Sequence, residues 1–399
     1  MTDKAALRAV GADTDILARG SNQGAMRAHN ERLVLTILRR HGPMAKAEIA
    51  RATGLSAQTV SVIMRKLEAE GLLVRGDPVR GKVGQPSVPM RLAGEGAFFL
   101  GLKVGRRSVE LVLTDFLGRV KSRAMRTHAY PEPAATVRFA LTQIRAILDS
   151  LTPQDRDRVA GLGIGMPFFL WNWAQHLGVP DSAMAGWREA DIRAEIAAAF
   201  DFPVFLENDA STACGAELVF GPTGGPEDFL YFYIGYFIGG GVVLGRKLFT
   251  GQGNAGALGP VPVPDGRGGM CQLLDVASLS VLEARLRDAG QDTACLWESA
   301  ESWDELDPAI VADWVEGAAL GLAYAIAASV SVIDFGAVRI DGWMPVALRR
   351  ALVAAVREAL ERIDMVGLTM PLVGPGAVGA DARVLGAASL PLSQRFLIE

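Results

Sequence analysis

The sequence predicts an α/β protein in two unlike parts: a small N-terminal winged helix-turn-helix and a larger two-lobed body. Three observations carry that expectation. Residues 1–93 hold 15 Lys/Arg against 8 Asp/Glu, net +7, whereas residues 94–399 hold 25 against 36, net −11. Apolar residues recur with a helical period in short segments before Gly71, then switch to strand-like alternation from Ala97. The order hairpin strands, helix, strand, helix, strand begins near Phe98, and the strand–turn–strand theme starts again at Leu230.

Glu31–His41 places Leu33, Val34, Ile37 and Leu38 on one face, and Gly42-Pro43 stops it. Lys46–Thr53 reads as a second short helix ended by Gly54. Ser56–Glu70 is the third, with Ser56 as N-cap, Val60, Ile63, Met64 and Leu67 as inward stripe, and Gly71 as its end. That leaves Gln58, Ser61 and Arg65 outward, with Ala57 and Thr59 near the exposed start. Leu72–Arg75 and Val88–Leu92 read as strands flanking a loop that carries Arg80, Lys82 and Gln85. A basic domain of this pattern points to DNA. Short polar side chains and Arg on a third helix meet base edges in a major groove, and wing cations and donors meet phosphate or a minor groove. Candidate DNA-binding residues are therefore Ser56, Ala57, Gln58, Thr59, Ser61, Arg65, Arg80, Lys82 and Gln85. The alternative for the same pattern is a small helical protein-docking domain.

In the body, Phe98–Val104, Ser108–Thr114 and Val120–Ala124 read as strands. A helix over Thr136–Leu151 precedes a strand at Val159–Gly165. Asp191–Phe200 reads as helix, Pro203–Leu206 as strand and Ala210–Val219 as helix. The second half offers FLYFYIG, the turn FIGGG and VVLG, then helices near Leu279–Asp288, Ala309–Val332 and Val346–Ile363, and a strand at Val338–Asp341. The boundaries this gives are an arm at 1–25, the winged helix at 26–93, a first lobe at 94–228 and a second at 229–399.

With half of the 399 residues hydrophobic and 21% charged, a large core is available and a disordered chain is excluded. Three cysteines without a C-x-x-C pair argue against a disulfide framework and a Cys-rich zinc site. The acidic, h-region-free start reads against a secretory signal. The uncharged stretches at Phe229–Gly245 and Gly317–Ile333 read as buried elements, not membrane spans. The four histidines, at 29, 41, 128 and 176, form no spaced pair and read as surface or helix-end residues.

LENDASTACGAEL (206–218), IGGGVVLG followed by KLFTGQGNAGALG (238–259) and GADARVLGAASLPL (379–392) resemble the ROK family of repressors, open reading frames and kinases. The resemblance covers the chain from about residue 25 onward, and a winged helix before such a body is the arrangement of its repressors, the xylose and N-acetylglucosamine type. It implies an actin-like, hexokinase-like (ribonuclease H-like) body with a sugar site between the lobes. It also implies a homodimer or dimer of dimers acting on operator DNA in the cytoplasm, with a possible carbohydrate effector.

The family's kinase motifs are altered here. Lys103, Arg106 and Arg107 stand where the first phosphate loop has Asp, Gly and Thr, and Tyr236 and Phe237 replace Thr and Gly in the second. Bulky side chains cannot copy close backbone amides, so the resemblance implies neither ATP binding nor phosphotransfer. Ala257 and Pro260 stand where the family's Glu and zinc-binding His belong, and at most Cys271 remains of its cysteine cluster. No cofactor and no metal are expected. Glu207-Asn208-Asp209 survives: Asn208 and Asp209 either bind polyol hydroxyls or cap the following helix. Pro167 and Phe168 are expected on the opposite wall, with Trp171, Asn172 and Trp173 as further candidates there. Arginines 106 and 107 would suit an anion if they turn into the cleft, although strand-end arginines are usually solvated. The rival readings are an active sugar kinase with a regulatory DNA domain, and a constitutive DNA-binding protein without an effector.

Overall fold

The computed structural model describes residues 23–78, 88–222, 224–266 and 268–398. Its head is the expected three-helix unit with a two-stranded ribbon. Helix α1 spans Gln23–His41, eight residues longer at its start than the periodicity suggested. Helix α2 spans Lys46–Thr53 and α3 Ala57–Ala69. Gly54 makes the α2–α3 turn in the left-handed region, at φ 69°. Ser56 Oγ then accepts from Thr59 N at 3.1 Å and starts α3 as foreseen. Strands β1 (Leu73–Arg75) and β2 (Met90–Leu92) pair antiparallel, and the wing loop between them, with Arg80, Lys82 and Gln85, lies outside the described residues.

The body holds two five-stranded sheets of matching plan. In the first, β3 (Phe98–Val104), β4 (Ser108–Asp115) and β5 (Val120–Thr127) form an antiparallel meander. The chain continues through α4 (Pro133–Ser150) and α5 (Pro153–Arg156) to β6 (Val159–Met166), parallel to β3. Short helices α6 (Asp181–Ala185) and α7 (Ile192–Ala197) lead to β7 (Val204–Asn208), which ends directly in α8 (Asp209–Phe220). The sheet order is β5-β4-β3-β6-β7.

The second sheet repeats it with β8 (Phe229–Ile234), β9 (Ile238–Leu244) and β10 (Lys247–Phe249). A small hairpin, β11 (Pro262–Pro264) with β12 (Met270–Gln272), precedes α9 (Leu274–Ala277), α10 (Leu279–Asp288), α11 (Cys295–Glu298) and α12 (Pro308–Val330). Strand β13 (Ala337–Gly342), α13 (Val346–Leu360) and β14 (Leu372–Pro375) complete the order β10-β9-β8-β13-β14. Among the described residues one helix, α12, is long and apolar enough to cross a membrane; Trp314, Leu322 and Ile326 of that helix sit fully inside the second lobe's core.

The last helix, α14 (Ala382–Phe396), departs from its place in the sequence. Position groups it with residues 229–399, but it packs on the first sheet. The reason is close backbone approach. A Cβ at Gly163 of β6 would collide with the Ala387 carbonyl, one at Gly101 of β3 with the Val384 carbonyl, and one at Gly386 with the Thr212 carbonyl of α8. Glycine at these points lets helix and sheet meet without intervening side chains.

The same helix joins head to body. Val34, Leu35 and Leu38 of α1 form one continuous core with Leu72, Leu73 and Leu92 of the ribbon segment, Phe99 and Phe116 of the first lobe, and Val384, Ala388, Leu392 and Phe396 of α14. Phe396 packs edge-on to Phe99 at 5.8 Å between ring centres. Thr36 Oγ1 on α1 accepts from Ile398 N at 2.9 Å. The head is therefore seated on the body and not tethered by a free linker.

Candidate functional site

The outward side of α3 carries the residues that the sequence placed there. Ser56, Ala57, Gln58 and Arg65 are exposed; Thr59 and Ser61 are half-buried. Two are partly engaged locally. Thr59 Oγ1 lies 2.8 Å from Ser56 Oγ, and Arg65 Nε donates to the Ser61 carbonyl at 3.2 Å. Val62, 53% exposed between Gln58 and Arg65, belongs to the same face. Sequence reading passed over it because it is apolar, although its position off the inward stripe would have found it. Lys66 faces back toward α1, where its Nζ pairs with Glu31 at 2.7 Å.

The second site is the cleft between the sheets, which opens into a cavity of about 370 Å³. Its floor is the β7–α8 junction. Asn208 Oδ1 accepts from Ala210 N at 3.0 Å and so caps α8. Asp209, buried at the cavity wall, receives Arg383 Nη1 at 3.2 Å. Pro167, Phe168, Asn172 and Trp173 line one side, while Trp171 packs instead on Phe169 at 5.5 Å. Ala257, Pro260 and Gln272 line the other. Arg383 was not foreseen: it sits in the first turn of α14 and arrives only because that helix crosses to the first sheet.

The two turns that the sequence resemblance likens to phosphate loops carry bulky buried side chains, Lys103 and Arg106 in the first and Tyr236 in the second. Lys103 points into protein, with Nζ donating to Ser108 Oγ at 2.8 Å, ion-paired to Glu110 at 3.3 Å, and 5.4 Å from the Trp343 ring centre. Burial pulls its ammonium down to about 8, against the attraction of Glu110. Arg106 corrects the expectation of a solvated strand end: it is 8% exposed. Its guanidinium carbon lies 4.7 Å from the Trp173 ring centre and 4.6 Å from that of Phe237, rings that themselves touch at 4.7 Å. Burial lowers Arg106 to about 10, which leaves it charged at neutral pH.

Arg107 also turns inward, 5.0 Å from the Tyr236 ring centre and 3.1 Å from Glu283 on α10. Glu283 further takes Arg287 at 2.8 Å and Trp297 Nε1 at 2.9 Å. His128 clamps this turn: its N–H donates to the Arg107 carbonyl at 3.0 Å and its ring Nε2 lies 2.9 Å from the Gly105 carbonyl. Burial holds its imidazole below the ordinary range. His128 is thus a half-buried clamp and not the surface residue expected.

Among the described residues no group of three His, Cys, Asp or Glu is arranged to hold a metal ion. Cys214 is buried on α8, while Cys271 is half-buried in β12. A second cavity, about 480 Å³, lies at the head–body junction, lined by Arg39, Arg40, Glu217, Arg246 and Ile398 among others.

A winged helix seated on two repeated sheets, with Asn-Asp at the cleft and altered phosphate turns, defines a DNA-binding regulator built on a sugar-kinase scaffold. Residues 99–394 match the ROK family and residues 29–82 match the MarR family. The chain belongs to the ROK family. It is 25% identical over 244 residues to the xylose repressor of Bacillus subtilis, covering 61% of this chain and 62% of that protein. It is 30% identical over 244 residues to a transcriptional regulator of Mycobacterium tuberculosis, covering 58% of this chain and 52% of that one. A crystal structure of a ROK family transcriptional regulator, a homolog of the E. coli MLC protein, shares the fold at TM-score 0.64 and 20% identity, covering 93% and 97%. A ROK family glucokinase from Streptomyces griseus, in complex with glucose and AMPPNP, shares it at TM-score 0.56 and 23% identity, covering 74% of this chain and 99% of that one.

Proposed function

We propose that the protein is a transcriptional repressor whose winged helix binds operator DNA in the cytoplasm, and whose kinase-like body binds an effector without transferring phosphate. The observation that carries the second half is the filling of the phosphate turns by Arg106, Tyr236 and Phe237. Phosphoryl transfer depends on positioning and charge neutralisation around the phosphates. Here those turns are closed on each other by aromatic rings and by the Arg107–Glu283 pair.

Base reading is assigned to Gln58, Ser61 and Arg65, with Ala57 and Val62 offering apolar contact to a thymine methyl and Ser56 and Thr59 at the helix start. Arg80, Lys82 and Gln85 are assigned to backbone or minor groove. Two linked heads in a dimer match a two-fold operator. Helix α14 supports a route between the sites: Arg383 touches Asp209 in the cleft, and its far end, Phe396, packs under α1. A ligand that changes the Arg383–Asp209 contact shifts the seating of the head, a population shift between DNA-competent and incompetent forms.

Calorimetry with Mg-ATP up to millimolar concentration, together with phosphate transfer across a sugar panel, tests the non-catalytic body. No heat and no transfer are expected. Saturable ATP binding with turnover would establish the kinase reading instead.

A further inference from the structure

Resting on the effector-pocket reading, we infer that the cleft ligand is a small hydroxylated carboxylate, a sugar acid, whose carboxylate docks on Arg106. The cavity wall carries two cations, Arg106 and Arg383, and one carboxylate, Asp209. Asp209 is already engaged with Arg383 at 3.2 Å. Lys103 nearby is paired with Glu110. That leaves the charge of Arg106 without an ion-pair partner among the described residues, although its side chain is more than nine-tenths buried. Among the described residues its Nε has no hydrogen-bond partner.

A buried guanidinium with an unmet donor favours an acceptor in the cavity it lines. The planar fork is suited to two oxygens of one carboxylate, and the rings of Trp173 and Phe237 fix its plane. Beside it the wall offers the amides of Asn172, Asn254 and Gln272, donor–acceptor groups that match hydroxyls. The lining net charge of +1 matches a carboxylate. A phosphate monoester brings about −1.5 to −2 at neutral pH and leaves charge unbalanced. Pro260 and Ala257 add no polar partner on their side, so a neutral sugar meets the unpaired cation without neutralising it.

The test is calorimetry and thermal shift with glucuronate, galacturonate and gluconate, against glucose, galactose and glucose 6-phosphate. Wild type, Arg106→Met and Arg106→Lys are compared, each first checked for an unchanged circular dichroism spectrum and for duplex DNA binding. At least one sugar acid is expected to bind wild type at least tenfold more tightly than its neutral counterpart and than the phosphate. Arg106→Met should lose that preference and Arg106→Lys recover part of it. Neutral sugars binding as well as the acids, with Arg106→Met indifferent, would overturn the inference while leaving the pocket intact. Tighter binding of glucose 6-phosphate would overturn the carboxylate assignment. No binding by any compound, with DNA binding retained, would remove the effector-pocket reading itself. Should Arg106→Met fail to fold, the matched acid and neutral sugar on wild type still decide, because only the carboxylate differs.

Discussion

The two sheets share one strand order yet are finished differently. The second has one face covered by its own helices, with Trp314, Leu322 and Ile326 of α12 closing that core, while its other face packs on Ala213, Cys214 and Ala216 of α8. The first borrows α14 from the chain's end, and that same helix supplies the core beneath the DNA-binding head. The shared plan is thus asymmetric: the first lobe is the junction at which cleft, head and chain terminus meet, and it also lends α8 to the second sheet. That difference places both contacts of α14, Arg383 with Asp209 in the cleft and Phe396 under α1, on the first lobe.

The sharpest way to break this asymmetry is Gly163→Val. The new side chain collides with the Ala387 carbonyl and pushes α14 from the sheet. Overpacking costs about 1–3 kcal/mol and occasionally more, and a clash with backbone lies at the upper end. Hydrogen exchange should show lost protection in β3, β6 and α1, while β8 and β13 keep theirs. Uniform loss across both sheets would mean that the lobes unfold as one unit.

Lys103 provides the next effect. Its folded pKa, about 8, lies below the unfolded value of 10.5, so the unfolded chain binds more protons between those values and stability rises with pH. Relative to Lys103→Met, wild type should gain up to about 3 kcal/mol from pH 8 to 10.5, read by urea unfolding. A flat difference would show that Lys103 is not buried in its charged form. Smaller still, Glu283→Gln removes the carboxylate that ties Arg107 across the lobes. A charged hydrogen bond is worth about 1.5–3 kcal/mol. The variant should open the cleft, seen as a larger radius of gyration in solution scattering, whereas Arg287→Gln on the exposed side should not.

Local rules reached most elements. The bounds of α2 and α10, the Ser56 cap and the stripe Val60, Ile63, Met64 and Leu67 were readable because the head's helices are short, amphipathic and punctuated by Gly42, Gly54 and Gly71. The landing place of α14 was not. ARVLGAASLPL is small and apolar around much of its circumference, so periodicity names no partner; the partner is set by Gly101 and Gly163, far away in sequence. Short elements at residues 170–188 and strands β10, β11, β12 and β14 carry too few residues for a period. At the site, Asn208 and Asp209 were legible from their motif: Asn208 takes the capping role, and both line the cavity. The burial of Arg106 was illegible because Trp173 and Phe237, which cover it, come from different lobes.

If α3 reads DNA sequence, selection of duplexes from a random library reveals it. Wild type should enrich a two-fold symmetric motif. Arg65→Ala should bind that motif about 1–3 kcal/mol more weakly and lose preference at specific base pairs, with the salt dependence of binding otherwise retained. No enrichment by wild type, or an unchanged motif and affinity in Arg65→Ala, would contradict it.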